Sequence, residues 1–289
     1  MPVLEQWPFP DVPHSTQRKI AAILTAYDDL IEVNKRRIAL LEKMAEELYR
    51  EWFVRLRFPG YQDTRFVKGV PEGWEFRPLI DLGTFLNGYA FKPSHWGTEG
   101  VPIIKIKEMG SGITAETPRN SGDDIPSKYH FDDGEIIFSW SGTLLVRSWD
   151  EGPGLLNQHL FKVEPKQGIP HSFLFHALAF SIPLFEVLTT GATMQHIKRK
   201  ELSFVKVMVP PSSLLKQFDD IVGPIVDSKL KLKKVNRNLT KTRDLLLPRL
   251  ISGKLSVEDL DIQFPPSMQE GTAEQESLPE ARHARIHSR

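Results

Sequence analysis

The sequence predicts an α+β fold: one mixed domain flanked by two long helices that pair as an antiparallel coiled coil. Three observations predict it. Residues 17–53 recur in similar form, without gaps, 198 positions later. Each copy carries apolar residues at alternating steps of three and four, the period of a narrow coiled-coil seam. The stretch between the copies breaks instead into short apolar runs separated by Gly, Pro and Asp pairs, which is the punctuation of strands and turns.

The repeat lays Pro13 on Pro211, Ile20 on Phe218, Asp29 on Asp227, Leu41 on Leu239 and Leu48 on Leu246. In the first copy the seam reads Ile20, Ile23, Tyr27, Leu30, Asn34, Arg37, Leu41, Met44, Leu48. In the second it reads Phe218, Ile221, Ile225, Ser228, Leu232, Val235, Leu239, Thr242, Leu246. Neither helix can bury such a stripe alone, and both join the same domain, so an antiparallel return lets the stripes meet. The polar exceptions fall near the middle, where a buried polar side chain fixes register. A helix of this length spans roughly 55 Å. Pro13-His14-Ser15-Thr16 and Pro210-Pro211-Ser212-Ser213 supply start signals. Pro59-Gly60 and Gly253 supply stops, and Pro248 is expected to fray or kink the last turn.

Along the chain, residues 1–16 (Trp7, Pro8, Phe9, Pro10) read as an extended lead-in and 17–58 as the first helix. Residues 59–211 form the mixed domain, with small antiparallel sheets from runs at 84–86, 101–107, 135–140, 144–148, 159–163 and 204–209, and a helical period over 170–190. The second helix occupies 212–254. Residues 255–289 read as a tail, largely disordered, because 262–289 is rich in Pro, Glu, Arg and Ser without periodicity.

Composition narrows the chemistry. The chain has no cysteine, so disulfides, thiolate metal sites and a Cys nucleophile are excluded, and a reducing cytoplasm is the expected compartment. The first residues lack the basic start and apolar core of a signal peptide. The most apolar stretch, 173–188, is interrupted by His176, Pro183 and Glu186, which argues against a membrane span. Net charge is zero, yet residues 229–254 carry nine basic residues against Asp244 alone. Residues 71–211 are slightly acidic, thirteen basic to sixteen acidic, whereas a free-standing DNA-binding domain usually shows a basic excess.

Catalytic patterns are thin. There is no Walker-type loop, no strand–GxGxxG–helix unit and no HExxH. No metal site is expected. Asp150 followed by Glu164-Pro165-Lys166 mimics a nuclease carboxylate set, but the proline would interrupt the presenting strand. More informative is Gln195, His196, Lys198, Arg199 and Lys200 after a glycine turn. Lys and Arg suit phosphates, while amides, hydroxyls and Arg suit base edges. The bland alternative is a solvated basic loop. Lys105 and Lys107 alternate with Ile104 and Ile106, giving a strand with a cationic face, or an edge strand protected by lysines.

The copies open Pro-x-x-x-Gln-(Arg/Lys)-x-Ile-Ala-x-Ile-Leu or a close variant, and the first continues Asp28-Asp29-Leu30-Ile31-Glu32-Val33-Asn34 to Trp52-Phe53-Val54. The second closes Leu247-Pro248-Arg249-Leu250-Ile251-Ser252-Gly253-Lys254. Between them stand Pro71-Glu72-Gly73-Trp74, Gly134-Glu135-Ile136-Ile137-Phe138-Ser139-Trp140-Ser141-Gly142-Thr143 and Gly191-Ala192-Thr193. Over residues 13–255 this resembles the specificity (S) subunit of type I restriction–modification enzymes, in a half-length form with one target recognition domain.

The resemblance implies a non-catalytic reader of double-stranded DNA. The helices would be spacers that carry methyltransferase (M) subunits, which bind S-adenosylmethionine; a restriction (R) subunit would use ATP and Mg. No cofactor is expected on this chain. A second half-target needs a second domain, from a homodimer or from another half-subunit. Candidate DNA-binding residues are Lys105, Lys107, Ser141, Thr143, Arg147, Asn157, Gln158, Gln195, His196, Lys198, Arg199 and Lys200. The helix-pair interface is expected from Ile20, Ile23, Tyr27, Leu41, Leu48, Phe218, Ile221, Ile225, Leu232, Leu239 and Leu246. The rival readings are a coiled-coil adaptor without DNA specificity and an inactive fragment of a split gene.

Overall fold

The computed structural model describes residues 12–189, 197 and 199–269. The chain divides into two compact units, residues 1–36 with 235–289, and residues 37–234. Two long helices dominate: α1 (His14–Tyr49) and, much later in the chain, a 40-residue helix, Ser212–Ile251.

α1 passes into a π-helical turn, Arg50–Val54. It stops where Leu56 adopts φ 58° and the Arg57 N–H returns to the Glu51 carbonyl at 2.7 Å. The helix Ser212–Ile251 continues past Pro248, so the expected fraying there does not occur. Proline costs a helix only one donor and a local clash, and the turn is closed by Gly253 at φ +70°, whose N–H reaches the Leu250 carbonyl at 3.2 Å.

The expected seam is out of phase in places. Leu30, Met44, Ile221 and Val235 are exposed, whereas Ile31, Ala45 and Val222 are buried; Asn34, a polar position of the expected seam, is buried as expected. The interface candidate Ile221 is therefore replaced by its neighbour Val222. Phe218 is buried, and Ile20, Ile23, Tyr27, Leu41, Leu48, Ile225, Leu232, Leu239 and Leu246 are half-buried. In the first unit the Asn34 side-chain amide donates to Asn236 Oδ1 at 2.8 Å, and Asn236 donates to the Ile31 carbonyl at 3.2 Å. Arg243 pairs with Asp28. The partners' numbers rise on one helix as they fall on the other. In the second unit Lys229 pairs with Glu42 at 3.3 Å.

The tail expected from residue 255 is ordered through 269. Val257 is 2% exposed, the Lys19 ammonium donates to the Glu258 carbonyl at 2.6 Å, and Arg18 lies 4.9 Å over the Phe264 ring. Val257 and Phe264 thus anchor in the first unit a stretch that lacks internal periodicity. Of the lead-in, residues 1–11 lie outside the described residues, as do 270–289.

The second unit contains the mixed domain. A hairpin, β1 (Phe66–Val67) and β2 (Val70–Pro71), turns on Lys68 and Gly69, both at positive φ, as a tight two-residue hairpin requires. β3 (Glu75–Pro78) pairs antiparallel with a late strand, Lys206–Val209. The main sheet consists of β4 (Gly83–Asn87), Leu160–Pro165, Ile136–Ser139 and Leu145–Ser148 in that order, all antiparallel. The second sheet contains β5 (Val101–Ile104), β6 (Arg119–Asn120), β7 (His130–Phe131) and Gly154–Leu156. Numbered on in chain order, Ile136–Ser139 is β8, Leu145–Ser148 β9, Gly154–Leu156 β10, Leu160–Pro165 β11 and Lys206–Val209 β12. β5 and β10 are parallel, which corrects the expectation of antiparallel sheets throughout.

The run 101–107 is also corrected. β5 ends at Ile104, and a short helix, α2 (Ile106–Ser111), follows. Glu108 accepts the Lys105 N–H at 3.1 Å and is itself buried, so a carboxylate at the third helical position starts a helix. Lys105 and Lys107 accordingly flank a helix start and do not share a strand face.

α3 (His171–Thr189) is the apolar helix whose length and composition would suit a membrane span. Phe173, Leu174, Ala177 and Leu178 are each 0% exposed in a core shared with Phe85, Phe138, Phe161 and Val163. Its His176 ring donates from Nδ1 to the Ser172 carbonyl at 2.8 Å and stacks on Tyr49. Burial pushes the His176 pKa down to about 4, and nearby Lys229 and His171 push the same way. The folded value is below the unfolded one, so this contribution is complete above pH 6.5 and is lost as pH falls from 6.5 to 4. The swing is about 3 kcal/mol. Urea unfolding at pH 7.5 and 4.5 should show His176→Phe losing much of that pH dependence.

Candidate nucleic-acid interface

Trp140, at the end of β8, ties several turns together. Its N–H donates to the His159 carbonyl at 3.3 Å, and its carbonyl accepts the Ile197 N–H at 2.8 Å. Its ring lies 5.7 Å from that of His159. The turn 140–144 between β8 and β9, the turn 157–159 between β10 and β11, and Ile197, ahead of α4 (Arg199–Phe204), therefore meet at one end of the main sheet. β4 ends there too, since Asn87 faces Phe161 across β11. Gly88 is required at this point: a Cβ on it would lie 2.1 Å from the Asn157 carbonyl oxygen. The start of α2 reaches the same turn, because a Cβ on Gly142 would lie 3.9 Å from Ile106.

Exposed polar side chains at this end are Thr143, Gln158 and Asn87, while Lys200 is exposed on α4. Gln158 Nε2 lies 3.3 Å from His159 Nε2, and the Lys200 ammonium lies 5.7 Å over the Phe204 ring. Lys107 is exposed and pairs with Glu116 at 3.4 Å, a solvent-exposed pair of small net strength. Lys105 is half-buried, its ammonium 5.5 Å over Trp96. Asn87 was not singled out from sequence; the Asn87-Gly88 pair after an apolar run was the signal that marks it.

Three candidates serve the framework instead of facing solvent. Ser141 is buried. Asn157 is buried, its N–H bonded to the Ile104 carbonyl at 3.2 Å and its carbonyl to the Leu160 N–H at 2.9 Å. Arg147 donates to Asp150 at 2.7 Å, to Glu151 at 2.5 Å and to the Met109 carbonyl at 3.2 Å. Burial opposes its charge, yet Asp150 and Glu151 hold its pKa above the ordinary arginine value. The Arg147 side chain is thereby committed to holding β9 against α2. Gln195, His196 and Lys198 lie outside the described residues, as does the side chain of Arg199, which opens α4.

Asp150 is 3% exposed and is met by Arg147, by Lys233 at 3.1 Å and by Lys229 at 3.8 Å. Burial alone would raise its pKa, but the three cations hold the carboxyl below the usual range. Glu164 of the sequence's nuclease-like set is exposed and pairs with Lys162, while Lys166 donates to the Ile80 carbonyl at 3.1 Å. The set does not converge. Among the described residues no group of three His, Cys, Asp or Glu is arranged to hold a metal.

A family model described as the type I restriction modification DNA specificity domain matches residues 71–239. The chain is 27% identical over 259 residues to the type I restriction enzyme MjaIX specificity subunit of Methanocaldococcus jannaschii, covering 84% of this chain and 60% of that protein. It is 25% identical over 207 residues to the type I restriction enzyme EcoBI specificity subunit of Escherichia coli, covering 69% and 43% respectively. The crystal structure of a type-I restriction-modification system S subunit from M. genitalium matches with a TM-score of 0.57 and 20% identity, over 82% of this chain and 61% of that one. That likeness speaks for the fold alone. The chain thus spans less than two thirds of each of these relatives.

Proposed function

The chain belongs to the type I restriction modification DNA specificity domain family, and from that premise we propose that it is the sequence-reading subunit of a type I restriction–modification complex. Its recognition domain reads one half of a bipartite target on double-stranded DNA. The chain itself performs no chemistry. Methyltransferase subunits with S-adenosylmethionine and a restriction subunit with ATP and Mg supply it, in the cytoplasm. The two long helices serve as an antiparallel coiled-coil spacer, a reading supported by the Asn34–Asn236 hydrogen bond and the Arg243–Asp28 pair.

The observation that carries this reading is the family match over residues 71–239, which takes in the turns gathered at Trp140. Thr143, Gln158 and Asn87 offer donors and acceptors suited to base edges, and Lys200 offers a phosphate contact. The slightly acidic domain leaves much of the non-specific affinity to the other subunits.

The test is DNA binding by the chain co-purified with its methyltransferase, over a series of salt concentrations. Lys200→Ala should weaken binding to all sequences alike and reduce the salt slope by about one. Gln158→Ala should change which sequence is preferred. Binding unchanged in both variants would remove this sheet end from the interface.

A further inference from the structure

A cavity of about 450 Å³ lies within the second unit, walled by α1, α3 and the second long helix, α5 (Ser212–Ile251). That volume suits a small molecule, whose sites measure about 300–1,000 Å³. Its wall shares no residue with the sheet end gathered at Trp140. Phe175, Phe180, Pro183 and Ile225 make the wall largely apolar. The charged side chains on it are already matched. Lys229 meets Glu42 at 3.3 Å and Asp150 at 3.8 Å, and Glu46 accepts from Arg50 at 2.6 Å. Among the described residues the wall thus offers no unpaired charge to an ion.

It does offer a lone pair. His176, on the same wall, is 4% exposed, and its ring is held from two sides. Nδ1 donates to the Ser172 carbonyl at 2.8 Å, and the ring stacks on Tyr49 with the two planes 17° apart. Burial keeps the ring neutral at pH 7, its pKa lowered to about 4. A carbonyl can only accept, so the single ring proton sits on Nδ1 and Nε2 is an acceptor. Among the described residues no group donates to His176 Nε2. His171, which opens α3, lines the same cavity, and its Nε2 is buried without a hydrogen-bond partner. Ring acceptors left unmet in an apolar surrounding are costly, and a ligand's donor would relieve that cost.

We propose that this cavity is a binding site for a small, neutral aromatic molecule that carries an N–H or O–H donor and gives it to His176 Nε2. The phenylalanine rings take its apolar body, and the matched charges leave no partner for a charged ligand. The site lies beside the cluster of Tyr49, Phe53 and Phe218 that fastens the helices to the recognition domain. A bound molecule therefore stabilises the folded second unit by mass action.

The full-length chain is titrated with indole and with N-methylindole, which keeps the ring and lacks the donor, while the melting temperature is followed. Indole should raise the melting temperature saturably, and N-methylindole should bind about tenfold more weakly, the weight of one hydrogen bond. His176→Phe should erase that preference. Ala179→Phe, which fills the cavity from a half-buried position, should abolish binding of both probes. If His176→Phe does not fold, the contrast between the two probes and the Ala179→Phe variant still decide. No saturable shift with indole, equal affinity for the two probes, a preference that persists in His176→Phe, or binding that survives Ala179→Phe would each overturn the site. No DNA enters the test, so its failure leaves the DNA reading untouched.

Discussion

Phe218→Ala will destabilise the second unit by about 4 kcal/mol, the usual cost of removing a fully buried phenylalanine. Phe218 is 0% exposed and its ring lies 4.9 Å from Phe53, 5.8 Å from Trp52 and 6.1 Å from Tyr49. This aromatic cluster joins both long helices to the recognition domain, so the loss is not confined to one helix. For a unit of this size the melting temperature should fall by about 10 °C. Ile221→Ala provides the internal contrast. Ile221 is 46% exposed, so its replacement should change stability by no more than about 0.5 kcal/mol. If Ile221→Ala proved the costlier, the seam would run in the phase first expected from sequence and not in the one described.

Asp150→Ala should come next, at about 3 kcal/mol. It removes the carboxylate shared by Arg147, Lys229 and Lys233 and leaves buried cations short of a partner, a situation that costs about 3–5 kcal/mol. Arg147 keeps Glu151 and Lys229 keeps Glu42, which places the expectation at the low end. The sign with pH follows from the depressed carboxyl pKa. Its stabilisation is complete above the unfolded value of 3.8 and is lost as pH falls through the lower folded value. Asp150→Asn should therefore lie closest to wild type in acid and furthest from it at neutral pH. A gap between the two that did not narrow on acidification would contradict this role for Asp150.

The two long helices were legible because a repeat and a seam leave a strong periodic trace. The phase of the seam was not. Leu30 and Ile31, or Ile221 and Val222, are adjacent apolar residues, and only the packing of the helices decides which turns inward. The helix start at Lys105 could have been read from Glu108 three residues on, but Ile104 and Ile106 bracket Lys105 in a pattern that also suits a strand. The parallel pairing of β5 with β10 was beyond reach, since strands this short carry no sign of their partner's direction. Arg147 had a visible warning in Asp150 and Glu151, three and four residues later, which mark a side chain committed to local ion pairs. The gathering of Asn87, Thr143 and Gln158 around Trp140 depends on pairings distant in sequence, so residue types could nominate members but not assemble them.

The central claim is that this recognition domain sets a DNA sequence through that sheet end. Methylome sequencing tests it most directly, in a host where this chain with its methyltransferase is the sole specificity source. The wild type should yield a methylated motif, and Asn87→Ala, Thr143→Ala and Gln158→Ala combined should change that motif. A motif unchanged in the combined variant, or no motif in the wild type, would contradict the account.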